Sequence, residues 1–279
     1  MQIGKGVSGL SDIKKRALVT VFWIVLVGSF VYFKLIFTLI IMLLSVFSVK
    51  EFYDMVEKKG IYPFYYLGLG VAGFIPLSVY FGFELNRTWQ LFLVIMALFL
   101  LFILQLRRTE NEGATAGIAV TIFGIFYIAW TLTFLLRLRL LQDGIWLFLY
   151  AVVVTKSADI GAYLIGKSLG KRPFTPRVSP NKTWEGFIAG VLFAVASSLI
   201  CVNFISYLSL FDALLLGALT GILGQIGDVS ESLIKRDCGI KDSGKVFPGM
   251  GGFLDTLDSL LFSSPVIYFY VTRLVQMPK

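Results

Sequence analysis

Long apolar runs follow one another along almost the whole chain, and only short polar segments separate them. A helix needs about 20 apolar residues to cross a hydrocarbon core about 30 Å thick, and about 17 at the lower limit. Nine runs are candidates for such helices: residues 17–33, 35–49, 62–83, 89–106, 114–136, 145–165, 186–208, 211–234 and 257–277. The pattern therefore predicts an all-α, polytopic integral membrane protein with about nine transmembrane helices.

The second run is short, and only Lys34 separates it from the first. The two runs could form a re-entrant pair instead of two full crossings, and the sequence leaves this alternative open. We find no linker, no low-complexity segment and no internal repeat in the sequence. We therefore expect one membrane domain over residues 1–279, with N-terminal hydrophobic helices in 1–140 and C-terminal helices with longer polar loops in 141–279.

The composition supports the membrane class. Hydrophobic residues make up 57% of the chain and charged residues 15%, whereas soluble domains have about 45–50% and about 25%. A soluble fold of this length could not bury so much apolar surface, and a disordered chain would be poor in apolar residues.

The basic residues are distributed unevenly between the two sides of the predicted bundle. Of the 25 Lys and Arg residues, 18 fall in one set of alternate connections and six in the other. Because cytoplasmic loops are rich in Lys and Arg, the N-terminus and loops 166–185 and 235–256 are predicted to face the cytoplasm from the inner membrane. The net charge of +8 is then explained by topology and anionic lipid headgroups, and no nucleic-acid partner is expected.

The chain contains no histidine and only two cysteines, Cys201 in an apolar run and Cys238 in a polar loop. This excludes a Ser-His-Asp triad and His-ligated zinc sites, and it removes the commonest general base. Any catalysis must depend on carboxylates, Lys, Arg and a hard cation.

Ionisable residues inside the C-terminal apolar runs indicate a site. Lys156 and Asp159 lie in the sixth run and Asp228 lies in the eighth. Such groups cost about 2.5–3.5 kcal/mol each in the bilayer and usually face a polar cavity. The alternative for Lys156 and Asp159, which lie three residues apart on one helical face, is a structural ion pair between helices.

Residues 227–258 combine acidic, basic and glycine residues between two apolar runs. Carboxylates suit Mg²⁺, Lys and Arg neutralise phosphate charge, and glycines let backbone N–H groups approach an anion. The segment predicts a site for phosphate and a divalent metal at the membrane surface.

Residues 161–168 match the P-loop pattern G-x-x-x-x-G-K-[ST]. A P-loop requires a preceding strand, whereas these residues fall at the end of a predicted membrane helix. We therefore reject a P-loop, although Lys167 could contact a phosphate as a point charge at the helix end.

Three segments resemble the phosphatidate cytidylyltransferases, also called CDP-diacylglycerol synthases. Residues 179–186 read SPNKTWEG and resemble the family's S-P-x-K-T-x-E-G segment, and residues 157–166 resemble the stretch that precedes it. The C-terminal signature, within 232–258, is matched by Ser232, Lys235, Arg236, Lys241, Asp242, Gly244, Phe247, Pro248, Gly251, Gly252, Asp255 and Asp258. The resemblance covers about residues 155–260, and the N-terminal half agrees only in being hydrophobic.

Two positions depart from the family signature. Met250 stands where the family has His, and Thr256 stands where it has Arg. The second departure removes a cation that could pair with a phosphate or carboxylate, and the first removes a hydrogen-bonding side chain beside the glycines.

The resemblance implies transfer of CMP from CTP to phosphatidic acid, which gives CDP-diacylglycerol and pyrophosphate. The lipid phosphate is already an anion, so its attack needs no general base, and positioning with charge neutralisation suffices. The implied Mg²⁺ ligands are Asp228 and Asp255, with Asp159 and Asp258 as second choices. The implied catalytic residues are Asp228, Asp255, Lys235, Arg236 and Lys241. The implied substrate-binding residues are Lys182, Lys167, Ser179, Thr183, Ser232, Asp242, Gly251 and Gly252.

Two other functions are alternatives. A CTP-dependent polyprenol or phytol kinase would transfer a γ-phosphate to an alcohol and would need a base near the acceptor hydroxyl. A cation transporter would use Lys156, Asp159 and Asp228 as its pathway, but transporter sites usually lie at mid-membrane between repeats. The expected partners are CTP, phosphatidic acid and the bilayer, and a homo-oligomer is left open.

Overall fold

The computed structural model describes residues 32–82, 87–108, 112–247, 249 and 251–275. Almost all of the predicted first run, 17–33, lies outside these residues. Whether the first two runs both cross the membrane therefore stays a prediction.

The described residues are nearly all helical, and a helix stands at each of the other eight predicted runs. The helices are α1 Lys34–Glu57, α2 Tyr65–Tyr80, α3 Arg87–Leu106, α4 Ala114–Leu140, α5 Gly144–Leu169, α6 Trp184–Cys201, α7 Leu210–Asp237 and α8 Phe253–Arg273. Within α4, residues Ile125–Trp130 form a π-helical segment, a local feature often found at functional positions.

Five of these helices are long and apolar enough to cross a membrane: α1, α4, α5, α6 with its short extension to Phe204, and α7. Helix α2 and the apolar part of α3 are shorter. Helix α8 has 21 residues and carries Asp255, Asp258 and Arg273. The polytopic membrane class agrees with the sequence, but the predicted number of about nine spans is not confirmed.

The loop predicted at 166–185 is not irregular. Helix α5 continues to Leu169, and strands β1 Pro173–Thr175 and β2 Ser179–Thr183 pair antiparallel. The prediction of an all-α chain missed this hairpin, because a three-residue strand leaves almost no periodicity to detect.

The hairpin is fixed against the start of α6. The ring of Phe174 packs edge-on against Trp184 and stacks on Phe187, with ring centroids 4.6 and 4.8 Å apart. Thr183 is the N-cap of α6, and its side chain accepts a hydrogen bond from the Gly186 N–H at 3.2 Å.

Contacts between connections show which of them share a face of the bundle. Lys59, after α1, pairs with Asp237 at the end of α7, with 2.6 Å between Nζ and Oδ2. Arg108, after α3, donates to the Tyr62 and Pro63 carbonyls before α2. These loops therefore lie on one face, as the alternation of basic residues predicts.

Consecutive C-terminal helices pack side by side, α5 on α6, α6 on α7 and α7 on α8. Helix α1 packs against α4 and α8, and the fully buried Tyr53, Leu132 and Leu254 lie in the core between them. Long apolar side chains on the outside remain exposed, including Phe99 and Phe102 of α3, as expected for a surface covered by lipid.

Candidate active site

A cavity of about 750 Å³ opens between α5, α6, α7 and the hairpin. Six of the residues predicted from the sequence line it: Asp159, Lys167, Ser179, Lys182, Thr183 and Asp228. Its walls also include aromatic side chains from α5, α6 and β1, namely Tyr163, Phe187 and Phe174. The cavity thus joins a charged part with an apolar part.

The closest charged pair in the cavity joins the hairpin to α7. Lys182 Nζ lies 2.8 Å from Asp228 Oδ2, and the two side chains are 27% and 35% exposed. The Lys182 Nζ atom itself is buried, whereas Asp228 is about one-third exposed toward the cavity that both residues line.

Two further cations stand at the rim. Lys167 is exposed in the last turn of α5, with its Nζ 3.4 Å from the Tyr163 hydroxyl, and Lys171 follows the helix. Residues 161–168 lie inside continuous helix. The rejection of a P-loop is therefore confirmed.

Below the rim, Lys156 connects α5 to α8. Its Nζ lies 3.0 Å from Asp159 Oδ2, and it donates to the Ser259 hydroxyl and the Thr256 carbonyl, also at 3.0 Å. The Ser259 hydroxyl in turn donates to Asp159. These contacts are those expected of a structural ion pair between helices, and Asp159 also lines the cavity.

Asp258 lies behind this group and is 6% exposed. One of its carboxylate oxygens accepts a hydrogen bond from the Ser259 N–H at 2.6 Å. Asp258 interacts electrostatically with Asp228, Lys156, Glu231 and Asp159, but it is not among the residues that line the cavity.

Asp255 belongs to a second network, separate from the Lys182–Asp228 pair. Its carboxylate accepts hydrogen bonds at 2.8 Å from the Gly252 N–H, the Ser243 N–H and the Ser243 hydroxyl. It also pairs with Lys235, which forms an ion pair with the fully buried Glu231. The sequence grouped Asp228 with Asp255, whereas the structure gives each a different basic partner.

The remaining predicted residues of the signature lie around this second network. Arg236 is exposed and donates to the Val178 carbonyl at 3.2 Å and the Ile240 carbonyl at 3.1 Å, which links the hairpin to the loop after α7. Lys241 and Asp242 are exposed on that loop, and Ser232 is half-buried on α7.

Gly251 and Gly252 face carboxylates of the protein itself. Gly251 has a φ of +90°, and a Cβ there would lie 2.3 Å from an oxygen of Asp255. A Cβ on Gly252 would lie 2.3 Å from an oxygen of Glu51. The glycines thus allow the close approach of Asp255 and Glu51.

Glu51 is not among the residues predicted from the sequence, and Glu185 was predicted only as part of the SPNKTWEG segment. Glu51 of α1 is 8% exposed and accepts hydrogen bonds from the Phe253 and Leu254 N–H groups, and the Ser243 hydroxyl lies 3.0 Å away, between Glu51 and Asp255. Glu185, in the first turn of α6, accepts hydrogen bonds from the backbone of the segment just before the hairpin. For Glu51, the only signal in the sequence is an acidic residue just after the apolar run 35–49.

The two departures from the family signature have different positions in the structure. Thr256 donates its hydroxyl to the Gly252 carbonyl at 2.9 Å, and its own carbonyl accepts from Lys156. Met250 lies outside the described residues.

The donor set of the cavity fits a magnesium ion bound together with a phosphate. In the part of the chain that the structure describes, no three acidic, His or Cys side chains are grouped as a metal site. Mg²⁺ usually takes only one or two carboxylates and completes its shell with phosphate oxygens and water. Asp159 and Asp228 provide two carboxylates in the same cavity.

Comparison with known proteins gives consistent matches. Residues 14–274 match the model of the cytidylyltransferase family. The phosphatidate cytidylyltransferase of Bacillus subtilis is 34% identical over 270 residues, covering 92% of this chain and 97% of the relative. The chloroplastic phosphatidate cytidylyltransferase 5 of Arabidopsis thaliana is 31% identical over 283 residues, covering 89% and 67%. An uncharacterised Escherichia coli protein, YnbB, is 38% identical over 205 residues, covering 71% and 68%.

Proposed function

The chain belongs to the cytidylyltransferase family, and from that membership we infer that it transfers CMP from CTP to phosphatidic acid. The products are CDP-diacylglycerol and pyrophosphate. The cavity is the main observation that supports this function. It combines three lysines with two acids and has aromatic side chains in its wall. The lysines are Lys167, Lys171 and Lys182, and the acids are Asp159 and Asp228. A triphosphate suits the charged part, and a lipid suits the apolar part.

The reaction needs charge neutralisation and alignment from the protein, and no proton transfer. An oxygen of the phosphatidate phosphate attacks the α-phosphorus of CTP. The bond from that phosphorus to the oxygen shared with the β-phosphate breaks, and pyrophosphate leaves with the bonding electrons. The chain has no histidine, and the reaction needs no base because the nucleophile is already an anion. The role of Lys182 and the two rim lysines is to offset phosphate charge.

We propose Asp228 and Asp159 as the residues that hold Mg²⁺, with Asp258 behind them. The ion would supply further neutralisation of the triphosphate charge. Asp255, which has Lys235 and three hydrogen-bond donors as partners, is assigned to holding the start of α8.

The cavity is proposed to face the cytoplasm from the inner membrane. The excess of Lys and Arg on this face supports that orientation, and CTP is available there. Phosphatidic acid then reaches the site from the adjacent leaflet.

The test is to incubate the purified protein with phosphatidic acid, Mg²⁺ and each nucleoside triphosphate in turn. We expect pyrophosphate and CDP-diacylglycerol to form with CTP and with no other nucleoside triphosphate. In a parallel incubation with a polyprenol or phytol, release of CDP together with a phosphorylated alcohol would indicate the lipid kinase. In sealed proteoliposomes, cation flux without nucleotide turnover would indicate the transporter. Either result would overturn the proposed function.

A further inference from the structure

The signature loop, defined here as residues 241–252, is attached to the N-terminal half of the protein through one buried acid. Glu51 of α1 is 8% exposed. Its Oε1 accepts from the Phe253 N–H at 3.0 Å, and its Oε2 accepts from the Leu254 N–H at 2.9 Å. The Ser243 hydroxyl, which has one proton to share between Glu51 and Asp255, lies 3.0 Å from Oε2. These partners lie 192 to 203 residues further along the chain.

Glu51 accepts hydrogen bonds from backbone N–H groups in the first turn of α8, which the N-cap residue cannot do. The N-cap is Gly252, which has no side chain, and the first N–H groups of a helix have no partner within the helix. A carboxylate at this end is also favoured by the helix dipole. Glu51 thus acts as the cap of α8 from another helix.

The Glu51 carboxylate is also connected to charged residues of α7, through Ser243 and Asp255. The Ser243 hydroxyl contacts both Glu51 Oε2 and Asp255 Oδ2, at 3.0 and 2.8 Å, and Asp255 pairs with Lys235. The continuous path runs from α1 through the signature loop to Lys235, which carries a second ion pair to the buried Glu231.

The fit around Glu51 leaves little room for adjustment. A Cβ on Gly244 would lie 2.4 Å from Glu51 Oε1, and a Cβ on Gly252 would lie 2.3 Å from Oε2. The position of the loop is therefore set by the position of this carboxylate.

We propose that Glu51 is a positioning residue for the transfer reaction, which fixes the signature loop, the start of α8 and the Lys235–Asp255 pair. The inference rests on the proposed function. It assigns a role in the reaction to the N-terminal half, which lies outside the three segments that carry the family signature. From the start of α8 the effect extends to Thr256 and Ser259, which hold Lys156 beside Asp159 in the cavity.

The test is Glu51→Gln in the full-length protein, with Asp54→Asn and Tyr53→Phe as controls on the same helix. The amide keeps one acceptor and replaces the other with a donor. In either orientation, therefore, the Phe253 N–H or the Leu254 N–H loses its acceptor. Asp54→Asn makes the same acid-to-amide change at a residue that contacts Lys50 and Tyr65 instead. Tyr53→Phe removes a buried hydrogen bond to the Thr121 carbonyl and reports the effect of lost stability alone.

We expect Glu51→Gln to lower kcat by about tenfold to a hundredfold, since a displacement near 1 Å can cost that much. The KM for CTP should change little, because Glu51 does not line the cavity. Both controls should keep near-normal kcat. Unchanged kcat in Glu51→Gln, or an equal loss in Tyr53→Phe at the same melting temperature, would overturn the proposal.

A second measurement does not depend on turnover. Hydrogen exchange of the backbone amides in 241–254 should accelerate in Glu51→Gln and stay unchanged in Asp54→Asn. Unchanged exchange in Glu51→Gln overturns the positioning role even if the protein has another activity. Absence of CDP-diacylglycerol formation in the unmodified protein would instead refute the proposed function.

Discussion

Replacement of Lys182 by Gln separates the chemistry of the cavity from the stability of the fold. Lys182 Nζ lies 2.8 Å from Asp228 Oδ2, and both side chains are about one-third exposed or less. The residue stands on β2, whose position is fixed by pairing with β1 and by the Thr183 cap on α6. A glutamine of similar length therefore leaves the hairpin in place.

The two expected effects differ in size. Asp228 is about one-third exposed and stays in contact with water when Lys182 is replaced. The loss of such a partly exposed pair costs about 0.2–1 kcal/mol of stability, so the melting temperature should hardly change. A preorganised group aimed at charge that develops in a transition state is worth about 2.7–4 kcal/mol, or roughly 10²–10³ in rate. Loss of Lys182 should therefore lower kcat by about a hundredfold to a thousandfold.

The assay is CDP-diacylglycerol formation from CTP and phosphatidic acid in mixed micelles, with the thermal unfolding of each purified protein measured in parallel. Lys58→Gln is the matched control, because Lys58 is exposed on the same face and does not line the cavity. A loss of less than about tenfold in Lys182→Gln, or the same loss in the control, would show that Lys182 does not neutralise phosphate charge in the transition state.

Three further changes test other parts of the reading. Asp159→Asn should reduce turnover by more than about tenfold and raise the Mg²⁺ concentration required, since it removes one of the two cavity carboxylates. The control Asp237→Asn breaks only the exposed pair with Lys59 and should leave the rate nearly unchanged. Equal losses in the two variants would refute the metal assignment. Single cysteines at Arg177 and Lys245, both exposed, should react with a membrane-impermeant reagent only from the cytoplasmic side, and labelling from outside in intact cells would invert the orientation. Gly252→Ala places a Cβ 2.3 Å from Glu51 Oε2, so turnover should fall, and normal turnover would show that the loop can relax.

Much of the candidate site could be predicted from local sequence. Asp159, Lys182 and Asp228 carry charge in or beside apolar runs, and all three line the cavity. The alternation of basic connections predicts that the loops after α1 and α7 share a face, which the Lys59–Asp237 pair confirms. The metal itself, and the side of the membrane that this face occupies, remain proposals.

The partners of the buried charges could not be predicted in this way. Asp228 and Asp255 appear equivalent in sequence, as acids at the two ends of one polar segment, but one meets Lys182 and the other meets Lys235. Glu51 lies just after the apolar run 35–49, and no residue near it in sequence indicates its partners.

The sequence by itself determined the membrane class and the residue types of the site, because hydropathy and charge are properties of each segment and add along the chain. The tertiary structure alone decided the hairpin that carries Lys182 and the capping of α8 by Glu51. Such contacts depend on how helices far apart in sequence pack side by side. A buried carboxylate takes whichever donors that packing brings within hydrogen-bond distance, because leaving it without partners in an apolar bundle would be costly.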